Sequence, residues 1–500
     1  MELIKETKNY NKKLLEQYIP VYTETDTIVP DVKPDMVEIM SDDANVWLVN
    51  KTINNGKITF ELEALINVLY KGDDDKVHSM STTHNFRQTV DSRFDLDEVK
   101  VVENIANKHI ETILINSRKL GIRLSVGLEI TFYQNQEIEC ITDFDESDIE
   151  KKIKSISANL NDYVGCGELT AKNIMEIPTG KPSINEVLQA DSIFTPEETK
   201  SAGNKVLIKG ELKTKLLYIA DDQTINTIEN AFPVSEIITI DKEIDSETNL
   251  TPSFNLGRVG FMVQADEDGE NRLISIDNSI KASFTQNKQI NFDLVEDAFS
   301  TKHDIDLEYK TVTIPSTNFE KEENFAMVEV LQPNEQVTSL YNVKANSKTL
   351  SKQIENGNLN LNGEIEITAI YLNENSLRTI KKTVSFERTV YIGDLEDADV
   401  KETIENLIYD TNIAGEIEVR ANIKILISSQ NEQQIEYLTG ADYKEEEEER
   451  GNRPYSMRIY YVKDDDTPWN IAKKYRVKID DLIEENGENL YTGQKLLIQG

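Results

Sequence analysis

The stretch Gly363-Glu364-Ile365-Glu366-Ile367-Thr368-Ala369-Ile370-Tyr371 decides the fold class. Its apolar and polar residues alternate, and a period of two puts the two sets on opposite faces of a β-strand, one buried and one wet. Two other segments, at 59–70 and 206–218, share the pattern and the closing tyrosine with this one at 359–371. Gly210-Glu211 holds the place of Gly363-Glu364, and Leu62-Glu63 fills it in the first copy. A polar turn such as Gly72-Asp73-Asp74-Asp75 follows and then another extended run, the order of an antiparallel hairpin.

Upstream of these strands lies a second recurring element. Lys33-Pro34-Asp35-Met36-Val37-Glu38-Ile39-Met40 returns as Lys181-Pro182-Ser183-Ile184-Asn185-Glu186-Val187-Leu188, and more faintly as Met327-Val328-Glu329-Val330-Leu331. Self-similarity at a long fixed period marks a repeat architecture. Asp35 with Glu38, and Ser183 with Glu186, have capping-box spacing, which predicts one helical turn in the first two copies. Downstream, a second alternating pair appears at 122–132, at 257–263 with 274–284, and at 416–427. Short strands with regular turns favour a sandwich or open barrel over parallel βαβ units.

The predicted architecture is therefore mainly β. Three antiparallel β-sandwich-like repeats occupy 20–145, 165–314 and 316–440, followed by an acidic linker at 441–455 and a small β-α-α-β domain at 456–500. Ile149, Ile153 and Ile156 at helical spacing predict a connecting helix within 145–162, and 8–18 allows a short N-terminal helix. The glutamate run at 445–449, followed by Arg450-Gly451-Asn452-Arg453-Pro454, reads as a solvated, self-repelling linker.

Past that linker, Tyr460-Tyr461-Val462 alternates like a strand, Thr467 has the chemistry of an N-cap, and Pro468 suits the first helical position. Ile471, Ala472 and Tyr475 recur at helical spacing, as do Ile479, Leu482 and Ile483, and Leu496-Leu497-Ile498 closes with a strand after Gly493. The segment resembles the LysM module, whose pattern is matched by Tyr461, Val462, Asp466, Thr467, Trp469, Ile471, Ala472, Lys474, Tyr475, Val477, Leu482, Asn486, Leu490, Gly493, Gln494, Leu496 and Ile498. In LysM modules a shallow sugar groove lies between the loop before the first helix and the loop after the second. The resemblance thus implies a partner- or glycan-binding groove formed by Asp465, Asp466, Thr467, Pro468, Asn486, Gly487, Leu490 and Tyr491. Asp465 replaces the usual glycine and Pro468 the usual leucine. N-acetylglucosamine is neutral, so the carboxylates of Asp464, Asp465 and Asp466 oppose an anionic wall polymer and favour a basic protein partner. The plainer reading of the same run is a solvated turn. Trp469 opens an amphipathic helix in a domain short of large apolar groups, and reads as core rather than ligand platform.

Composition narrows the function classes. The chain has 500 residues with a net charge of −37, which disfavours nucleic acid and anionic membrane as partners. No apolar run approaches the roughly eighteen residues of a membrane span, so no membrane insertion is expected. Met1-Glu2-Leu3-Ile4-Lys5-Glu6 lacks a basic-then-apolar export pattern, and a cytoplasmic location is the expectation. Cys140 and Cys166 are expected to be free thiols. The four histidines, His78, His84, His109 and His303, form no metal-ligand motif. Val164-Gly165-Cys166-Gly167 lacks the strand-to-helix context of a nucleophile turn. No catalytic residue, metal site or cofactor is predicted, and the chain is read as a non-enzyme.

Three acidic β-rich repeats with the KPxxxEVL-type motif, a strand ending in tyrosine, and one terminal LysM module together resemble the clostridial SipL-like spore coat morphogenetic proteins. The resemblance implies a cytosolic mother-cell protein gathering at the forespore surface. It would dock there, through the LysM region, onto the ATPase that polymerises as the basement layer of the coat, and its repeats would organise other coat proteins. This scaffold reading stands first. Second is a cell-wall protein binding peptidoglycan or another N-acetylglucosamine polymer, supported by the LysM match and opposed by the missing export pattern. A wall-remodelling enzyme comes last, because triplication suits multivalent assembly better than a single active site.

Overall fold

Alternating segments are realised as long antiparallel strands, described by a computed structural model over residues 2–244, 250–373, 376–444 and 457–499. The first repeat contains β1 (Leu3–Ile28), β2 (Met36–Asn54), β3 (Lys57–Gly72), β4 (Val77–Asp91), β5 (Val99–Asn116) and β6 (Lys119–Phe144). Sheet β2-β3-β4 and sheet β1-β6-β5 enclose a core that includes Val46, Phe60, Leu62, Ile122, Leu124 and Phe132. The second repeat has β7 (Ile149–Glu176), β8 (Ile184–Ala220), β9 (Ile225–Ile244), β10 (Thr251–Ala265) and β11 (Asn271–Ser300). Its sheets are β8-β9 and β10-β11-β7. Here β8 doubles back at Gly203, whose φ is +61°, bringing Ser192 Oγ to 2.9 Å from Thr214 Oγ1. The third repeat has β12 (Ile305–Leu331), β13 (Ser339–Glu355), β14 (Asn358–Asn373), β15 (Ser376–Tyr391), β16 (Asp399–Thr411) and β17 (Ile417–Tyr443), in sheets β13-β14-β15 and β12-β17-β16. The antiparallel two-sheet expectation holds in each.

The recurring residues now have physical reasons. A Cβ at Gly363 would stand 2.2 Å from the Phe386 ring and 2.9 Å from the Lys348 carbonyl, and one at Gly210 2.5 Å from the Thr195 carbonyl. Neighbouring strands approach too closely there for any side chain. The strand-ending tyrosines close the Lys-Pro turns, with Tyr70 Oη donating to Pro34 O at 3.2 Å and Tyr218 Oη to Pro182 O at 3.1 Å. Burial pushes the Tyr70 hydroxyl up to about 12, so it stays a neutral donor. Tyr70→Phe is expected to cost about 1 kcal/mol, read as a lowered thermal midpoint with unchanged circular dichroism.

The predicted helical turn is absent from both motif copies. Asp35 accepts from Ser117 Oγ at 2.7 Å and pairs with Arg118 at 3.0 Å, while Glu186 pairs with Lys33 of the preceding repeat at 2.6 Å. Side-chain partners from turns distant in sequence outweigh the local capping option. The faint third copy is also corrected. Met327 and Leu331 belong to the end of β12, the counterpart of β1 and β7, and the position of Met36 and Ile184 is taken by Val337. In that alignment Asp43, Asp191 and Lys344 are equivalent residues, and they meet: Lys344 Nζ lies 2.9 Å from Asp43 and 2.7 Å from Asp191. The two carboxylates hold the Lys344 ammonium well above its ordinary range against the opposing effect of burial. Leu69, Leu188, Leu217, Tyr341 and Ile370, drawn from all three repeats, share an apolar cluster beyond those of the separate sandwiches.

The first and last strands of each repeat outrun the rest of their sheet. Residues 3–11 pair with 135–144, 149–161 with 287–300, and 305–315 with 432–443, each as a two-stranded ribbon. A register shift marks each departure, between Lys13 and Leu15, Gln286 and Asn287, and Pro315 and Thr317. The three ribbons pack together through Tyr10, Ile138 and Cys140, Ile156, Leu160, Phe292 and Leu294, and Ile314, Ile435 and Tyr437. The helices expected at 8–18 and 145–162 are therefore strands, β1 and β7. Ile156, Ala158 and Leu160 are buried with period two, and that face is what the bundle uses. β17 runs to Tyr443, and the acidic run at 445–449 with the rest of 445–455 lies outside the described residues.

Candidate functional site

The terminal module folds as expected from its own sequence. β18 (Met457–Tyr461) pairs antiparallel with β19 (Lys495–Gln499), and α1 (Pro468–Tyr475) and α2 (Ile479–Asn486) cover one face. Thr467 caps α1 by accepting from Asn470 N at 3.2 Å, with Pro468 in the first turn. Val462, Ile471, Ala472, Leu482, Leu496 and Ile498 form its core.

The predicted groove residues divide by what their side chains already do. Asp466 accepts from Tyr460 Oη at 2.6 Å and from Lys463 N at 2.8 Å, and these bonds hold its carboxyl below the usual range. Asp464 accepts from Thr492 Oγ1 at 2.8 Å, tying the first loop to the second. Asn486 donates to Leu482 O and Leu497 O at 3.0 and 2.8 Å and accepts from Leu497 N at 2.7 Å. It braces α2 against β19. Leu490 is half-buried at the edge of the core, Pro468 is half-buried, and Thr467 is spent on its cap. Asp465, Gly487 and Tyr491 remain exposed, Gly487 with φ +85° and Tyr491 at 69% exposure. Of the three carboxylates, that of Asp465 alone accepts no hydrogen bond among the described residues, and Asp464 is exposed with one oxygen engaged.

Trp469 is core, as predicted, but part of that core comes from another repeat. Its indole packs edge-on to Phe299 of β11, with ring centroids 5.1 Å apart, and its Nε1 donates to Asp297 Oδ2 at 2.8 Å. Lys473 pairs with Asp297 Oδ1 at 2.5 Å, and Arg476 pairs with Asp304. Burial works to raise the Asp297 carboxyl, and the bonds from Lys473 and Trp469 outweigh it, holding the group below its ordinary range. Asp297, Phe299 and Asp304 carry no local motif, and sequence reasoning had no signal for them.

Elsewhere, a cavity of about 650 Å³ opens between the first and second repeats, lined by Asp43, Lys51, Glu103, Lys108, Asp191 and Lys281 among others. Glu103 bridges Lys51, at 2.7 Å, and Lys281 across that boundary. His78 sits 3.1 Å from Asp74, and His84 2.8 Å from Thr23 Oγ1. Val164-Gly165-Cys166-Gly167 lies inside β7, with Cys166 exposed and Cys140 buried, both free. Among the described residues no group of three or more His, Cys, Asp or Glu side chains is placed to hold a metal, and no helix is long and apolar enough to cross a membrane.

The family model described as SipL, SPOCS domain matches residues 25–113, 183–263 and 336–412, and the LysM domain model matches 460–499. The third SPOCS match begins beside Val337, in step with the corrected register of the repeats. Both are non-catalytic domain types, and LysM suggests glycan binding. No curated protein and no solved structure matches the chain.

Proposed function

The chain belongs to the SipL-like, sporulation-related LysM proteins, three SPOCS domains followed by one LysM domain, and from that premise we propose that it is a non-catalytic scaffold of spore coat assembly. It docks through its LysM domain onto the morphogenetic ATPase of the coat basement layer, at the forespore surface within the mother-cell cytoplasm. The three repeats then organise other coat proteins. The observation that carries this reading is architectural. Three repeats are locked into one body by a shared ribbon bundle, and a single binding module sits against the end of that bundle. A rigid body with one binding module at one end suits the orientation of further proteins on a polymerised surface.

The net charge of −37 favours a basic docking partner. A second reading, a peptidoglycan- or N-acetylglucosamine-binding protein, draws on the LysM type itself and on the groove loops. The hydroxyl donors to Asp464 and Asp466 do not neutralise them, so the three carboxylates together oppose an anionic polymer there and leave a neutral glycan as the ligand of this reading.

In sporulating cells the full chain should concentrate on the forespore, and a chain ending at residue 444 should be folded and diffuse. Normal localisation of the shortened chain would sink the docking proposal. Asp465→Gly should change stability by no more than about 0.5 kcal/mol, because the residue is exposed. If it strengthens binding to purified peptidoglycan while co-purification of the ATPase is unchanged, the glycan reading takes precedence.

A further inference from the structure

We propose that Asp297 is the catch of an intramolecular latch that holds the LysM module against the ribbon bundle and withholds the outer face of helix α1 from partners. This rests on contacts within the chain and is independent of which partner the module meets. Three side chains of the module's helix region face the body. Trp469 and Lys473 bond the two oxygens of Asp297, Arg476 pairs with Asp304, and Phe299 completes the module's own core.

Two features mark the contact as built rather than incidental. Asp297 is also bonded by Tyr309 Oη at 3.1 Å, so the carboxylate is oriented from its own side before the module arrives. Arg476 adopts φ +55° at the C-cap of α1, a left-handed position usually filled by glycine or asparagine. There its backbone N–H closes the helix onto Ala472 O while its guanidinium reaches Asp304, so one residue makes both the helix stop and the contact with the body.

With the latch closed, Asp465, Gly487 and Tyr491 stay exposed while Trp469 is covered. Groove binding and helix-face binding are thereby separated. A ligand of the groove binds the closed form, and a ligand of the α1 face must first displace Asp297 and Phe299.

The test uses the full chain carrying Trp47→Phe, which leaves Trp469 as the one tryptophan. Removal of a charge-assisted hydrogen bond by Asp297→Ala should shift the closed-to-open ratio by roughly tenfold or more. The indole emission should move to the red, its acrylamide quenching should rise, and the radius of gyration from X-ray scattering should increase. Lys473→Glu, made on the module side, should give the same three changes. Far-UV circular dichroism must match the parent in both variants, which separates release from unfolding. Emission, quenching and scattering unchanged in both folded variants would overturn the latch. So would a parent whose indole is already as accessible to quencher as a free tryptophan.

Discussion

Replacing Phe292 with alanine is expected to destabilise the chain by about 3–5 kcal/mol, the range for deleting a buried aromatic ring. The residue is 6% exposed and shares its cluster with Tyr10 and Ile138 of the first repeat and Ile314, Ile435 and Tyr437 of the third. Each ribbon is held by its own backbone ladder, so the six strands have little freedom to collapse into the space left behind. The loss should fall on the coupling between repeats more than on any one sandwich, whose cores are separate clusters. Denaturant unfolding of the variant should therefore separate into steps where the parent shows fewer. A midpoint within about 0.5 kcal/mol of the parent, with no added step, would mean that the bundle is not a shared core.

Leu482→Asp should unfold the module while leaving the repeats intact. Leu482 is 3% exposed within a cluster of few large apolar groups, and an unpaired carboxylate there costs roughly 4 kcal/mol or more. A domain of some forty residues has only a few kcal/mol to lose. The near-ultraviolet signal of Trp469 should disappear, and the far-ultraviolet strand signal should remain. Binding to any partner through the module should be abolished. Retained Trp469 signal would show that contacts with Phe299 and Asp297 carry the module's fold, and that it is not an independent core.

Local pattern made the sandwiches and the module legible. Ile365, Ile367 and Ala369 alternate because one face meets a second sheet, and Thr467-Pro468 carries its helix start in two adjacent side chains. The ribbons were hidden for a physical reason. A shift in register between Lys13 and Leu15 breaks the period of two in the middle of β1, and Ile149, Ile153 and Ile156 of β7 fit a helical spacing while the face that is buried runs through Ile156, Ala158 and Leu160. Only the packing of three ribbons, each distant in sequence from the next, selects the strand. The same applies to Lys344, which stands where the other two repeats have aspartate, a difference with no meaning until the three positions meet. In the groove, residue type indicated location but not occupation. Asp466 lies in the expected loop and Asn486 closes α2 beside the other, yet their polar atoms bond to the module itself.

The pairing of each repeat's opening strand with its closing strand sets a constraint on biogenesis. Leu3 waits for Phe144, Ile149 for Ser300, and Ile305 for Tyr443. On the ribosome, the inner hairpins such as β2-β3-β4 can zip as they emerge, whereas each opening strand stays without its mate until nearly the whole repeat has been translated. Contacts so distant along the chain close slowly. The three-ribbon bundle cannot complete until the last of these strands is released, so each repeat in turn carries a half-paired opening strand during its synthesis, and a net charge of −37 opposes the association of such edges between molecules.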